Sequence, residues 1–228
     1  MPSPIPSSND PSPVNSVPAP VLALAAFVFG IEVLFWLGSR GVLGGDAGIA
    51  LRVTAFEDYG FAPRLWAFMV QNGAWSFDGL QRFVTYAFVN VSFLSTTLSC
   101  VFILAFGKFV GEVMGGARAL VIFVVATVGA ALVYGSVFPD QSLLYGAFPG
   151  AYGLLGAYTY ILFLILDGAD ENRMQAFRLV GILAGLQLVF GILFGGPPHW
   201  AADIAGAAIG FLTAAALGPG GIARLLRR

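Results

Sequence analysis

The sequence contains one pair of side chains that could transfer protons, a histidine and an aspartate one helical turn apart. His199, the only histidine in the chain, and Asp203 are four residues apart and would share one helix face. An aspartate can orient an imidazole as a general base for a serine nucleophile. Because His199 follows two prolines, an ordinary place at a helix start near water is the simpler interpretation. The candidate hydroxyls are those of Ser95, Ser99, Ser136 and Ser142.

Other polar residues lie within apolar runs. Ser92, Ser95 and Ser99 follow one another at spacings of three and four residues, with Asn90 just before them. Hydroxyls in membrane helices mostly bond to their own helix or to a neighbour, so this ladder favours a structural role. A carboxylate inside an apolar helix is costly, and Glu32 in "GIEVLFW" is one. A structural bond to another helix and a functional role both stay open for Glu32.

Glycines recur on two segments at spacings of three or four residues. Small residues at such spacings let helix backbones approach closely, so the two segments are predicted to pack together. That packing would turn His199 and Asp203 toward the interior. The packing glycines are Gly146, Gly150, Gly153 and Gly156 on one segment and Gly206 and Gly210 on the other.

The elements that must hold these residues are membrane-spanning helices. Hydrophobic residues make up 58% of the chain, charged residues 10%, and the mean hydropathy is +0.85. A bilayer core of about 30 Å requires about 20 apolar residues per helix. Six windows meet or approach that length: 20–37, 86–106, 119–137, 146–166, 177–194 and 200–217. The sequence therefore predicts an all-α, polytopic membrane protein with six transmembrane helices in a lipid bilayer.

The chain is predicted to have three parts. Residues 1–19, rich in proline and serine, are expected to form a disordered cytoplasmic tail, and residues 219–228 a basic cytoplasmic tail. Residues 20–218 form the membrane domain, with a long external loop at 40–85. Basic residues flank the connections after the second and fourth windows, which places both termini in the cytoplasm. A net charge of −1 gives no case for nucleic acid, and the sequence indicates no metal site and no cofactor.

Three stretches resemble one family, the rhomboid superfamily of intramembrane serine proteases. "QRFVTYAFVNVSFLSTTLSCVFILAFGKFVGE" is similar to the segment that opens the family's second helix. "GAFPGAYGLLGAY" resembles the family's G-A-S-G-A-x-[FY]-G-L-L-G-A-Y without a gap, and "HWAADIAGAAIGFL" resembles its W-A-A-H-[IL]-G-G-x-x-x-G. The resemblance covers most of residues 20–217. It implies a six-helix rhomboid-like bundle with a long external first loop.

The resemblance also implies a serine nucleophile on the fourth helix and a histidine base on the sixth, and this sequence departs from both. Phe148 and Asp203 stand at those positions, and Ser95 and Ser99 stand where the family has oxyanion-stabilising residues. Pro149 replaces a glycine and has no backbone N–H to offer an oxyanion. Acyl transfer requires a nucleophile beside its base, so the departures predict a protein without protease activity.

The expected function is that of a catalytically inactive rhomboid-like protein that binds or stabilises other membrane proteins through their transmembrane helices. One alternative is an active rhomboid-type protease with a rearranged centre around His199. Another is an accessory subunit of a larger membrane complex or a small transporter, with Glu32, His199 and Asp203 as a proton- or solute-responsive path. The expected location is the inner membrane of a bacterium. The candidate client-binding polar strip is Asn90, Ser95, Ser99, His199 and Asp203.

Overall fold

The computed structural model describes residues 16–169, 171–194 and 197–218, and helices dominate these ranges. The tail predicted at 219–228 and most of the tail predicted at 1–19 lie outside the described residues. The α-helices are α1 (Ala19–Ser39), α2 (Gly45–Tyr59), α3 (Pro63–Asn72), α4 (Phe77–Thr85), α5 (Phe93–Met114), α6 (Gly116–Val137), α7 (Phe148–Gly168), α8 (Arg178–Phe194) and α9 (His199–Leu217). Short 3₁₀ helices cover Tyr86–Phe88 and Arg173–Phe177.

Five of these helices, α1, α5, α6, α7 and α9, are long and apolar enough to cross a membrane. They correspond to five of the six predicted windows, and the protein is an integral membrane protein. The remaining window corresponds to α8, which has 17 residues. A helix rising 1.5 Å per residue needs about 20 residues to cross a bilayer core, so α8 is short for a span perpendicular to the membrane.

Helix α5 begins later than the sequence predicts. The predicted window starts at residue 86, but Tyr86–Phe88 is a 3₁₀ turn and α5 begins at Phe93. The hydroxyl of Ser92 accepts a hydrogen bond from the backbone N–H of Ser95 at 3.2 Å and so caps the helix. Asn90 therefore lies in an irregular segment before α5, where its side chain is free to bond elsewhere.

Helix α7 lies at the centre of the bundle, with 12 of its 21 residues buried. It packs against α5, α6 and α9. The contact with α9 is made by backbone, because a Cβ built on Gly156 would overlap the carbonyl of Ala207. In the same way, a Cβ on Gly206 would meet the carbonyl of Pro149, and one on Gly210 that of Gly153. These glycines let the two helices approach to backbone distance.

Two glycines of the "GAFPGAYGLLGAY" segment do not face α9. Gly150 faces α6, where an added Cβ would lie 2.5 Å from both the ring of Phe123 and the hydroxyl of Thr127. The three helical glycines at spacing three spread over about 120° of the helix, so they reach two neighbours instead of one. Gly146 precedes α7 and has a φ of +98°, so the expectation that it belongs to the helix face is wrong.

Residues 40–85 contain three helices, α2, α3 and α4, which lie against one end of the bundle. An isolated antiparallel bridge joins Phe61 to Leu144, just before α7. The guanidinium of Arg82 donates to the carbonyls of Glu57 at 2.6 Å and Gly60 at 3.1 Å, which fixes the end of α2 beside α4. Trp66 packs edge-on against Phe83 at 5.3 Å. This segment is thus an ordered part of the fold, bonded to the turn that leads into α7.

Candidate functional site

The segment that precedes α7 is held by hydrogen bonds on both sides. The backbone N–H of Gly146 donates to the carbonyl of Tyr86 at 2.8 Å. The N–H of Ala147 donates to the side-chain oxygen of Asn90 at 3.2 Å, within a buried environment. The positive φ of Gly146 suits a residue without Cβ and turns the chain into the helix. As a result, the first residue of α7 has a fixed position in the bundle.

Phe148 is that first residue. Its half-buried ring lies edge-on to the ring of Phe102 on α5, with 6.1 Å between the ring centres. Pro149 follows in the first turn, where a missing backbone N–H costs the helix little. A phenyl ring carries neither a nucleophilic oxygen nor an exchangeable proton. At the N-terminus of α7, an apolar side chain packed against α5 therefore occupies the position for which the resemblance to rhomboid proteases implies a nucleophile.

Asp203 lies on α9 and is 6% exposed. Its Oδ2 accepts a hydrogen bond of 2.8 Å from Nε2 of Gln187 on α8. Burial raises the pKa of the Tyr86 hydroxyl well above its usual range, and Asp203 raises that pKa further. That hydroxyl donates to the carbonyl of Thr127 at 2.8 Å. Asp203 is thus an interior acceptor that connects α9 to α8.

His199 is the first residue of α9, as the simpler interpretation of the sequence expects. Its Nε2 lies 3.1 Å from the carbonyl oxygen of Leu143. A carbonyl can only accept, so Nε2 carries the proton and donates it. The ring also packs edge-on against Tyr145 at 4.9 Å and Tyr134 at 5.8 Å. This arrangement fixes the imidazole against the loop before α7 and uses Nε2 as a donor.

The candidate hydroxyls are not hydrogen-bonded to the imidazole. Ser99 is fully buried and donates to the carbonyl of Thr96 in its own helix at 2.9 Å. Ser95 is half-buried, and Ser136 and Ser142 are exposed. Throughout 16–169, 171–194 and 197–218, none of these four hydroxyls is hydrogen-bonded to His199 or to Asp203. The described residues thus contain no serine hydroxyl that is hydrogen-bonded to the histidine.

The members of the predicted polar strip have separate partners. Asn90 bonds to Ala147 and His199 to Leu143, so both anchor the loop before α7, whereas Asp203 bonds to α8. In the part of the chain that the structure describes, no side-chain hydrogen bond joins two members of the strip. These residues also include no group of three or more His, Cys, Asp or Glu that could hold a metal ion.

Glu32 belongs to a network that the sequence did not reveal. Its carboxylate is 1% exposed and accepts two hydrogen bonds from the guanidinium of Arg52 on α2, at 2.6 and 3.1 Å. The hydroxyl of Thr96 on α5 donates to the same carboxylate at 2.8 Å. Arg52 also donates to the backbone carbonyl of Asn90 at 2.6 Å. Glu32 thus has the structural bond to neighbouring helices that its sequence left open.

Gln187 is a second residue that sequence reasoning missed. It is the only amide side chain in the apolar run of α8, "RLVGILAGLQLVFGILF", and that isolation was the available signal. While its Nε2 donates to Asp203, its Oε1 is buried and has no hydrogen-bond partner in the described ranges. A cavity of about 370 Å³ lies between α7, α8 and α9 and is lined mostly by apolar side chains, including Phe177, Val180 and Phe211. Ala184, which precedes Gln187 by three residues on α8, also lines it.

A comparison with protein-family models agrees with the resemblance noted in the sequence. The model described as Rhomboid domain matches residues 78–220, more than half of the chain. No curated protein matches the chain. The matched region begins within α4 and includes α5 to α9, the loop before α7, His199 and Asp203. With its membrane-length apolar helices, its close α7–α9 packing and this match, the chain belongs to the rhomboid family.

Proposed function

We propose that the protein is a catalytically inactive rhomboid that binds transmembrane helices of other membrane proteins, with both termini in the cytoplasm. One observation carries the first part of the proposal: the only imidazole of the chain donates its Nε2 proton to the carbonyl of Leu143, and no hydroxyl of the described residues is hydrogen-bonded to it. A general base has to be within hydrogen-bond reach of the nucleophile whose proton it accepts, and neither ring nitrogen of His199 has such a hydroxyl partner in the described residues. The presence of Phe148 at the start of α7 supports the same conclusion.

The rearranged protease is the alternative that this geometry disfavours. It would require a serine to approach His199, yet Ser99 bonds within its own helix and Ser136 and Ser142 are exposed. It would also require donors for an oxyanion. Pro149 has no N–H, and the N–H of Ala147 already donates to Asn90. Each missing group costs a hydrolase orders of magnitude in rate.

Purified protein is expected to show no fold-dependent reaction with a fluorophosphonate probe. The physical reason is that the described structure pairs no hydroxyl with a base, so no serine is activated. Labelling of native protein should equal that of heat-denatured protein, measured by in-gel fluorescence. The matched variants Ser95→Ala, Ser99→Ala, Ser136→Ala and Ser142→Ala should leave the signal unchanged. Labelling that requires the native fold and disappears in one of these variants would establish a rearranged protease centre.

The second part of the proposal, client binding, is supported by α8 and its surroundings. The cavity between α7, α8 and α9 provides space for part of a bound partner next to α8. Helix α8 is apolar and short for a full membrane span. Gln187 offers a buried acceptor without a partner in the described residues. A transmembrane helix with a polar donor, or with a locally unwound turn, could satisfy that acceptor away from water. The client class that fits is therefore a membrane helix with a polar residue near its middle.

Photo-cross-linking inside native membranes tests client binding. A benzoylphenylalanine at Ala184, which lines the cavity, is expected to form adducts with other membrane proteins, whereas one at the exposed Val121 of α6 should form few. Replacing Gln187 with leucine should lower the adduct yield from position 184 by about three- to tenfold, the effect of one lost hydrogen bond. Adducts are measured by mass spectrometry of the cross-linked bands.

Gln175→Leu is the matched control, because it removes an exposed amide of the neighbouring 3₁₀ helix. It should leave the adduct yield unchanged. Equal adducts from positions 184 and 121 would contradict a client site beside α8. A single stoichiometric partner whose yield does not respond to Gln187→Leu would instead indicate a subunit of a larger complex.

A further inference from the structure

A second cavity lies at the opposite end of the bundle from Phe148. Its volume is about 270 Å³, and it lies between α5, α6 and α7, with Gly218, the residue that follows α9, in its lining. Most of its walls are aliphatic, and two of the lining residues, Val113 and Ile165, are 58% and 53% exposed. Because these helices cross a membrane, the exposed aliphatic side chains at its mouth face lipid tails.

Two polar groups line this otherwise aliphatic cavity. Tyr160 is 1% exposed, and its hydroxyl has no hydrogen-bond partner within the described residues. The second group is the exposed guanidinium of Arg118 at the start of α6, which donates one hydrogen bond of 3.1 Å to the carbonyl of Met114. A guanidinium has five N–H donors, so most of its bonding capacity is left over. Buried hydroxyls normally have a partner, which makes that of Tyr160 unusual.

Arg118 differs from two other basic side chains near this end of the bundle, Lys108 and Arg173, which have acidic partners. Lys108 lies 3.8 Å from the carboxylate of Glu112, and Arg173 lies 3.2 Å from that of Asp167. Across the described ranges, no carboxylate lies within ion-pair distance of Arg118. Its charge is therefore available to an anion from outside the described fold. The positive-inside rule assigns this end to the cytoplasmic face, where anionic lipids attract basic residues.

We propose that this cavity binds an anionic phospholipid. One acyl chain occupies the aliphatic groove along Ile161, Leu164 and Ile165. The phosphate lies at the guanidinium of Arg118, and the hydroxyl of Tyr160 donates to an ester oxygen at the top of the chain. Basic pockets between transmembrane helices are suited to anionic headgroups. The site is separate from Asp203 and Gln187, so it stands whether or not the protein binds clients beside α8.

Binding of two phospholipids with the same acyl chains, phosphatidylglycerol and phosphatidylcholine, tests the proposal. Full-length protein in a neutral detergent is titrated with each lipid, and the bound lipid is counted by native mass spectrometry. Wild-type protein is expected to retain phosphatidylglycerol about fivefold better, because the positive choline of phosphatidylcholine offsets the charge that its phosphate presents to Arg118. Arg118→Gln should abolish this preference. Tyr160→Phe should weaken the binding of both lipids by about three- to tenfold, because both lipids carry the ester oxygen.

Arg173→Gln is the control, because it removes a basic residue of the same end that already has an acidic partner. It should leave both affinities unchanged. Equal binding of the two lipids by wild-type protein, or equal effects of Arg118→Gln and Arg173→Gln, would overturn the proposal. So would unchanged binding in Tyr160→Phe. Full competition by soluble glycerol 3-phosphate at millimolar concentration would assign the site to a free phosphate compound and would contradict lipid binding.

Discussion

Replacing Arg52 with alanine is expected to lower the free energy of unfolding by about 3–5 kcal/mol, because it leaves a buried carboxylate without its counter-charge. Glu32 is 1% exposed and accepts two hydrogen bonds from Arg52, one from each terminal nitrogen. The variant also removes the bond from Arg52 to the carbonyl of Asn90. Unfolding in a mild detergent, followed by circular dichroism or by steric trapping, measures the loss.

Arg64→Ala is the matched control for Arg52. Arg64 lies on α3 and approaches Asp140 at 4.0 Å, but the two side chains are 78% and 91% exposed. An exposed pair of this kind contributes at most about 1 kcal/mol, so the control should change stability little. Glu32→Gln should fall between the two variants, because it keeps the shape of the side chain and loses its charge. Equal stability of Arg52→Ala and Arg64→Ala would show that the buried pair does not stabilise the fold.

Replacing Gly156 with alanine is expected to cost about 3 kcal/mol or more, because the added methyl has no space. Its Cβ would overlap the carbonyl of Ala207 and would lie 2.9 Å from the backbone nitrogen of Phe211. Backbone of a neighbouring helix cannot rotate away as a side chain can, so α7 and α9 would have to separate. The fraction of protein that remains monodisperse in detergent, together with its unfolding temperature, measures the effect.

Gly30→Ala provides the comparison within a membrane helix of the same chain. An added Cβ on Gly30 of α1 meets nothing within 4 Å. The methyl should therefore be neutral or stabilise by up to about 1 kcal/mol through helix propensity. Similar losses for Gly30→Ala and Gly156→Ala would mean that α7 and α9 do not pack at backbone distance.

The sequence predicted most of the elements but few of their partners. Apolar length located the five long helices, and glycine spacing indicated the contact between α7 and α9, because both are local patterns. The predicted start of α5 is too early. Tyr86–Val89 is as apolar as the helix that follows, although the irregular segment around Asn90 separates the two. Hydropathy alone does not distinguish that turn from a helix.

Partners distant in the sequence were not predictable. Arg52 lies 20 residues from Glu32, on a helix of the long connection, and no spacing rule relates the two. His199 was correctly interpreted as a helix-start residue, but its bond to Leu143 depends on where the loop before α7 runs. Gln187 was overlooked because a single amide in an apolar run carries no periodic signal. These contacts follow from tertiary packing, which a single sequence does not encode in a local pattern.

The Arg52–Glu32 pair also determines how short a self-sufficient version of this protein can be. The family match begins at residue 78, whereas both members of the pair precede it. A fragment cut to the matched boundary would take away α1, α2 and α3 and leave the Thr96 hydroxyl with only the carbonyl of Ser92 as an acceptor. The hydrogen bond from Arg52 to the carbonyl of Asn90 would be lost. Asn90, whose side chain accepts from the N–H of Ala147, would then be held less firmly. We therefore expect the smallest fragment that folds by itself to start at the beginning of α1, well before the region matched by the family model.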